Sequence, residues 1–195
     1  MFDALLKVTR YAGLFSGNRF YPFNPIGMDL VSKIDLEDIA HSLSNICRFN
    51  GHCSEFYSVA QHSVHVASMV ADDRLRLAAL MHDASETYTG DVVTPFKRMF
   101  SGLWAIESRL QKQIHDHFGI VVTHEDKSVI KSADLKALAT EKRDLMPRQR
   151  HEEWSYLRSR EPDPVPIVPL PPKEAKQLFL DAFDAYGGKT VRRAA

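Results

Sequence analysis

Cysteine is scarce in this chain: among 195 residues there are two, Cys47 and Cys53. They stand too close together for a disulfide framework and lack the CxxC spacing of a redox or zinc site, so both read as packing residues. Charge of one sign is lacking as well. Lys plus Arg and Asp plus Glu number 25 each, which removes the overall basic field that nucleic-acid or membrane binding draws on. Neither partner is expected. No segment approaches the roughly 20 apolar residues of a membrane span. Residues 1–10 include Asp3 and no apolar stretch of the kind a signal peptide carries, so a cytoplasmic protein is expected. Repeats and low-complexity tracts are absent too. What is present is an ordinary globular composition, 44% hydrophobic and 26% charged. A chain of this length buries a core without disulfides or structural zinc.

Apolar spacing divides the chain into helices. Around a Gly-Asn turn signal, the aromatic and β-branched residues from Val8 to Phe23 predict a short hairpin within an N-terminal arm, residues 1–30. Residues 31–150 read as a helical core. Asp35 is the expected N-cap of its first helix, running to about Cys47, with Asp38 three residues on as in a capping box. Ser58 caps a second helix through His62. Arg74 to Asp83 reads as a third, largely buried helix, and Thr94 to Phe100 as a short piece. Leu103, Ile106, Leu110, Ile114 and Phe118 mark a fourth helix, ended by Gly119. Thr123 with Asp126 opens a long fifth helix to about Leu145. Six prolines fall between Arg160 and Pro172, so residues 160–172 are an expected extended strap. Residues 173–188 return to helical spacing before Gly187 and Gly188 stop it. The predicted fold is all-α with a small β-hairpin, in one domain spanning 1–195.

Chemistry concentrates in Met81-His82-Asp83-Ala84-Ser85-Glu86-Thr87-Tyr88-Thr89-Gly90-Asp91. His nitrogens and carboxylates converging from different elements hold first-row divalent ions. His82 and Asp83 alone are a weak signal. His62, on the Ser58-capped helix, and Asp134, flanked by small residues on the long helix, strengthen it.

His, then His-Asp, then Asp on successive helices resembles the HD-domain metal-dependent phosphohydrolases. Within them, Ser58-Val59-Ala60-Gln61-His62-Ser63, His82-Asp83-Ala84-Ser85-Glu86, Thr89-Gly90-Asp91 and Thr94-Pro95 are similar to the YfbR-type 5'-deoxynucleotidases over roughly Arg48 to Asp134. The resemblance implies an HD-domain helical bundle in which His62, His82, Asp83 and Asp134 hold one divalent transition metal ion. Cobalt, manganese, iron, zinc and nickel all suit these ligands. It also implies that Glu86 and Asp91 share proton transfer and water ordering, that Arg48 meets substrate phosphate, and that the protein is a homodimer. Glu86 lies one turn past His82 and faces the same site if that helix continues.

The chain departs from the pattern twice. Phe49-Asn50-Gly51-His52 follows Arg48 where those enzymes carry a tryptophan, and Gln61 replaces a Glu before His62, removing a partner for the ligand. Other residues carry two readings each. Lys97 and Arg98 are candidates for phosphate or a solvated basic turn; His52 is a phosphate ligand or proton donor, or a plain loop residue. His65 reads as structural, and His115 and His117, two apart on a helix, point away from each other and argue for a single-metal site. Phe100, Trp104 and Phe118 read as core aromatics rather than a base platform. The leading expectation is hydrolysis of 2'-deoxyribonucleoside 5'-monophosphates to nucleoside and phosphate. The alternatives are a deoxynucleoside triphosphate triphosphohydrolase and a non-catalytic nucleotide-binding module.

Overall fold

A computed structural model describes residues 12–22, 24, 27–147, 152–157 and 159–189. Strands β1 (Ala12–Gly13) and β2 (Arg19–Phe20) pair antiparallel, with Ala12 opposite Phe20. The hairpin expected over 8–23 is therefore shorter within the described residues, and its outer ends at 8–11 and 23 lie outside them. Its turn is gripped by Asp38, whose carboxylate accepts from the Ser16 backbone at 2.7 Å and the Ser16 hydroxyl at 2.6 Å. That corrects the capping-box reading of Asp38. Its side chain turns outward to the hairpin, leaving Asp35 alone to cap α1 (Leu36–Asn45) by accepting from the Glu37 amide.

Helix α2 (Val59–Ser68) is the centre of the bundle. Ser58 caps it, and Val59, Ala60, His62, Ser63, Val66 and Ala67 are buried, a spread that only a helix enclosed on several sides shows. It packs against α1, α3 (Asp73–Leu80), α7 (His124–Asp144) and α8 (Pro172–Ala185). Thr123 and Asp126 form the expected capping box of α7. Between α3 and α7 lie two short helices, α4 (Glu86–Thr89) and α5 (Thr94–Met99), and the long α6 (Ser101–Phe118). Gly119 ends α6 in the left-handed conformation at φ +67°.

Two expectations fail for tertiary reasons. The third helix does not reach Asp83: it stops at Leu80, and residues 81–85 form turns. Gln111 of α6 makes this break stable. Its amide donates to the Met81 carbonyl at 2.7 Å, and its oxygen accepts from the Ser85 amide at 3.2 Å, which satisfies backbone groups that the helix would have paired. Nor are Phe100 and Trp104 core residues, at 56% and 68% exposed. The apolar stripe of α6 is fully buried only at Leu110, Ile114 and Phe118, with Ile106 half-buried against the same core, and the aromatics before Ile106 are left to solvent.

The strap at 160–171 is extended, as its prolines dictate. Asp144 accepts from the Ile167 amide at 2.9 Å, and Thr140 from the Asp163 amide at 2.8 Å. No helix among the described residues is long and apolar enough to cross a membrane.

Candidate metal centre

Three elements meet at the buried centre of the bundle: the first half of α2, the turn after α3, and the middle of α7. His62, His82 and Asp83 offer ligand atoms that all lie within 4.8 Å of one another. Asp134 stands beside them, its Oδ1 3.4 Å from His62 Nε2 and 4.0 Å from His82 Nε2. All four residues singled out from the sequence as ligands are thus brought together. His82 and Asp83 reach this point from a turn rather than from a helix end.

Each imidazole has one nitrogen fixed by a hydrogen bond and the other turned toward carboxylates without one. His82 Nδ1 donates to the Ala79 carbonyl at 2.8 Å, and His62 Nδ1 is held by Glu141 Oε1 at 2.5 Å. The two Nε2 atoms are buried and make no hydrogen bond. Asp83 Oδ2 lies 3.2 Å from one and 3.6 Å from the other. Buried polar nitrogens that make no hydrogen bond are costly, and an acceptor on the far side of the ring is how metal-ligating histidines are oriented. The group can bind a metal ion.

Carboxylates crowd the two imidazoles: Asp83 and Asp134 stand at the Nε2 atoms, Glu141 at His62 Nδ1, and Asp91 on the far side of Arg48. For His62, burial and Arg48 act to lower the pKa, but Glu141 and Asp134 outweigh them and take it up to about 10. Burial acts to raise the Asp83 and Asp134 carboxyls, yet the two histidines hold both well below the usual carboxylate range. A divalent cation would take the place of the His62 proton beside the same carboxylates.

Glu141 escaped the sequence reading, and it corrects one inference drawn there. The partner lost when Gln61 replaces Glu is supplied from α7: Glu141, fully buried, holds His62 with one oxygen and accepts from Arg48 Nη2 at 3.0 Å with the other. Gln61 turns to the strap instead, donating to the Val168 carbonyl at 2.8 Å and accepting from the Leu170 amide at 2.9 Å. The available signal for Glu141 was its spacing, seven residues or two turns past Asp134 on one helix.

Glu86 and Asp91 flank the group. The Glu86 carboxyl is pushed well above its ordinary range by burial, then by Asp83 and Asp91. Lys97 donates to its Oε1 at 2.9 Å and stands 3.1 Å from Glu107, a second residue the sequence reading missed, while Oε2 has no partner. Gly90 takes φ +78°, a value that favours glycine, and returns the chain so that Asp91 accepts from Arg48 Nη1 at 3.3 Å. Arg48 is buried between Asp91 and Glu141, and Phe49 and Asn50 after it are both left-handed, at φ 53° and 52°.

The remaining candidates stand apart. His52 is exposed on the loop after Arg48, and no bond among the described residues joins it to the cluster. Arg98 is exposed beside Lys97. His65 faces the strap, lining a cavity of about 320 Å³ with Tyr57 and Ile167. His115 bonds to Gln111 at 2.7 Å, and His117 meets the Phe118 ring edge-on; both belong to α6, outside the ligand group.

Fold and site together define a mostly helical protein with an interior His-His-Asp group competent for a metal ion. The chain belongs to the family of the uncharacterized protein YfdR of Escherichia coli strain K12, with which it is 38% identical over 174 residues, 87% of this chain and 92% of that protein. An uncharacterized protein of Rhodobacter capsulatus is 34% identical over 182 residues, 85% of this chain and 90% of its own length. No known family profile matches the sequence.

Proposed function

We propose that this protein is a metal-dependent phosphohydrolase of the HD-domain kind, converting 2'-deoxyribonucleoside 5'-monophosphates to nucleoside and phosphate. One observation carries the reading: two buried imidazole Nε2 atoms, each fixed from behind, converge without hydrogen bonds on Asp83 and Asp134. His62, His82, Asp83 and Asp134 would hold the ion, and its donor set suits a first-row divalent metal. Such an ion supplies Lewis acidity to a phosphate oxygen and a lowered pKa to water.

The protein groups around it divide the remaining work. Hydrolysis forms one bond from water oxygen to phosphorus, breaks the bond from phosphorus to the 5' oxygen, and delivers a proton to that oxygen. Glu86 presents Oε2 without a partner while Lys97 fixes its other oxygen, an arrangement suited to moving that proton. Asp91, held by Arg48, is placed to share the task and to order water. Arg48 sets a delocalised positive charge where phosphate charge must be countered.

The test is to load the protein with metal, incubate it with deoxynucleoside mono- and triphosphates, and separate the products. Nucleoside and phosphate from monophosphates is the expected result. Tripolyphosphate would replace the proposal with triphosphohydrolase activity, and no product from either panel would leave a nucleotide-binding module. Glu86→Ala should retain its metal by elemental analysis and lose at least about a hundredfold in turnover. Unchanged phosphate release from it would remove Glu86 from the mechanism.

A further inference from the structure

A connected series of aromatic rings borders the metal group. The Arg48 guanidinium lies 5.2 Å from the centre of the Phe49 ring. Phe49 meets Trp154 edge-on at 6.1 Å, and Trp154 stacks on Tyr156 at 6.2 Å with 28° between the planes. Phe49 reaches this position from a left-handed backbone, φ 53°, which a bulky residue adopts only when its surroundings hold it there.

The segment bearing Trp154 and Tyr156 lies along α7. Lys142 Nζ sits 5.8 Å from the Trp154 ring centre, and Arg160 donates to Ser132 at 3.0 Å. Tyr156 falls between these two anchors. The series therefore starts at the arginine inside the cluster and ends on the segment that runs along α7, the helix that carries Asp134. Tyr156 is nonetheless 58% exposed, so its ring adds little to the core and is available at the rim.

We infer that Trp154 and Tyr156 form the surface on which the substrate's planar base stacks, so that the site selects phosphate esters bearing an aromatic heterocycle over simple sugar phosphates. The inference rests on the phosphohydrolase reading and names the element that gives it a substrate class. Arg48 sits at the inner end of the series, where the phosphate must lie; the rings extend outward from it, where the rest of a nucleotide would project. Ring faces do not read base edges, so selection among bases is weak. Lys131, exposed and 2.7 Å from Asp134, adds attraction for the ester's charge at the rim.

Binding and turnover test this separately. The chain has two tryptophans, so Trp104→Phe leaves Trp154 as the only tryptophan fluorophore, and adding Glu86→Ala prevents turnover during titration. In that metal-loaded variant dAMP should quench Trp154, and 2-deoxyribose 5-phosphate should not. Tyr156→Ala should weaken dAMP binding about fivefold to a hundredfold, while Tyr156→Phe, which keeps the ring, stays near the parent. With Glu86 intact, Tyr156→Ala should raise KM for dAMP, leave kcat unchanged and leave cleavage of 2-deoxyribose 5-phosphate unaffected. Absence of quenching, or equal loss for both ligands, overturns the stacking surface. Absence of hydrolysis by the unmodified protein overturns the phosphohydrolase reading instead, and the quenching result still decides whether a base stacks here.

Discussion

Helix α7 is fastened at two places by the same chemistry, an arginine on a carboxylate, in opposite surroundings. Near its start, Arg74 of α3 forks onto Asp126 at 2.7 and 3.2 Å, with the arginine side chain 59% exposed. About four turns further on, Arg48 donates to Glu141 at 3.0 Å where the arginine is 10% and the glutamate 0% exposed. The outer pair exchanges solvent for protein at little net gain, since water screens it and would solvate either partner alone. The inner pair has no such alternative, and removing one partner strands the other charge. The difference teaches that the outer pair is a fastening of the fold. The inner pair is tolerated because Glu141 also fixes His62.

The largest expected effect therefore comes from breaking the inner pair. Glu141→Ala should destabilise the protein by about 3–5 kcal/mol, measured by urea denaturation. In the proposed metal enzyme it should also lower metal affinity by about ten- to a hundredfold, because His62 loses the acceptor that orients it. Glu141→Gln keeps the shape and an acceptor, so it should cost less stability while still weakening the metal site. If Glu141→Ala were as stable as the parent, the contrast between the two pairs would collapse.

Between these extremes lies a neutral fastening, the amide of Gln111 on the turn at 81–85. Gln111→Ala leaves the Met81 carbonyl and the Ser85 amide without that partner, and should cost about 1–3 kcal/mol by thermal or urea unfolding. Because this turn carries His82 and Asp83, metal content should fall in the same variant. A loss of stability with full metal content would mean that the turn keeps its shape without Gln111.

These three fastenings also separate what the sequence reveals from what it conceals. Caps are local: Asp35, Ser58 and the Thr123/Asp126 box act on amides two or three residues away, so the sequence contains both partners in order. The prolines of the strap act on their own backbone and are equally legible. The candidate ligands His62, His82, Asp83 and Asp134 could be picked out because few other roles call for that combination on successive elements. Glu141, by contrast, is defined by Arg48 and His62, far away in the chain, and beyond its spacing of two turns past Asp134 nothing local distinguishes it from a solvated acid. The end of α3 is set by Gln111, whereas Met81 to Glu86 taken alone continues a helical pattern. Asp38 sits at the N3 position where a capping box would use it, and only the hairpin folded over α1 draws it away.

The smallest effect is expected at the outer pair, and its pH dependence is the sharper measurement. Arg74, then Thr123, hold the Asp126 carboxyl below its ordinary range in the folded protein. A depressed folded pKa means that the unfolded state binds the proton more readily, so this contribution is fully present above the unfolded pKa of an aspartate, near 4. It is lost as pH falls from there through the folded value. Arg74→Ala should change stability at pH 7 less than Glu141→Ala or Gln111→Ala, and should flatten the loss of stability on acidification below about pH 4. High salt should mimic it by screening the exposed arginine, and should leave the Arg48 pair largely untouched, because buried charges are screened far less. An Arg74→Ala protein whose acid unfolding curve overlays the parent's would assign the low Asp126 pKa to the capping box alone, and would leave the inner pair as the only charge pair of the two with a measurable hold on α7.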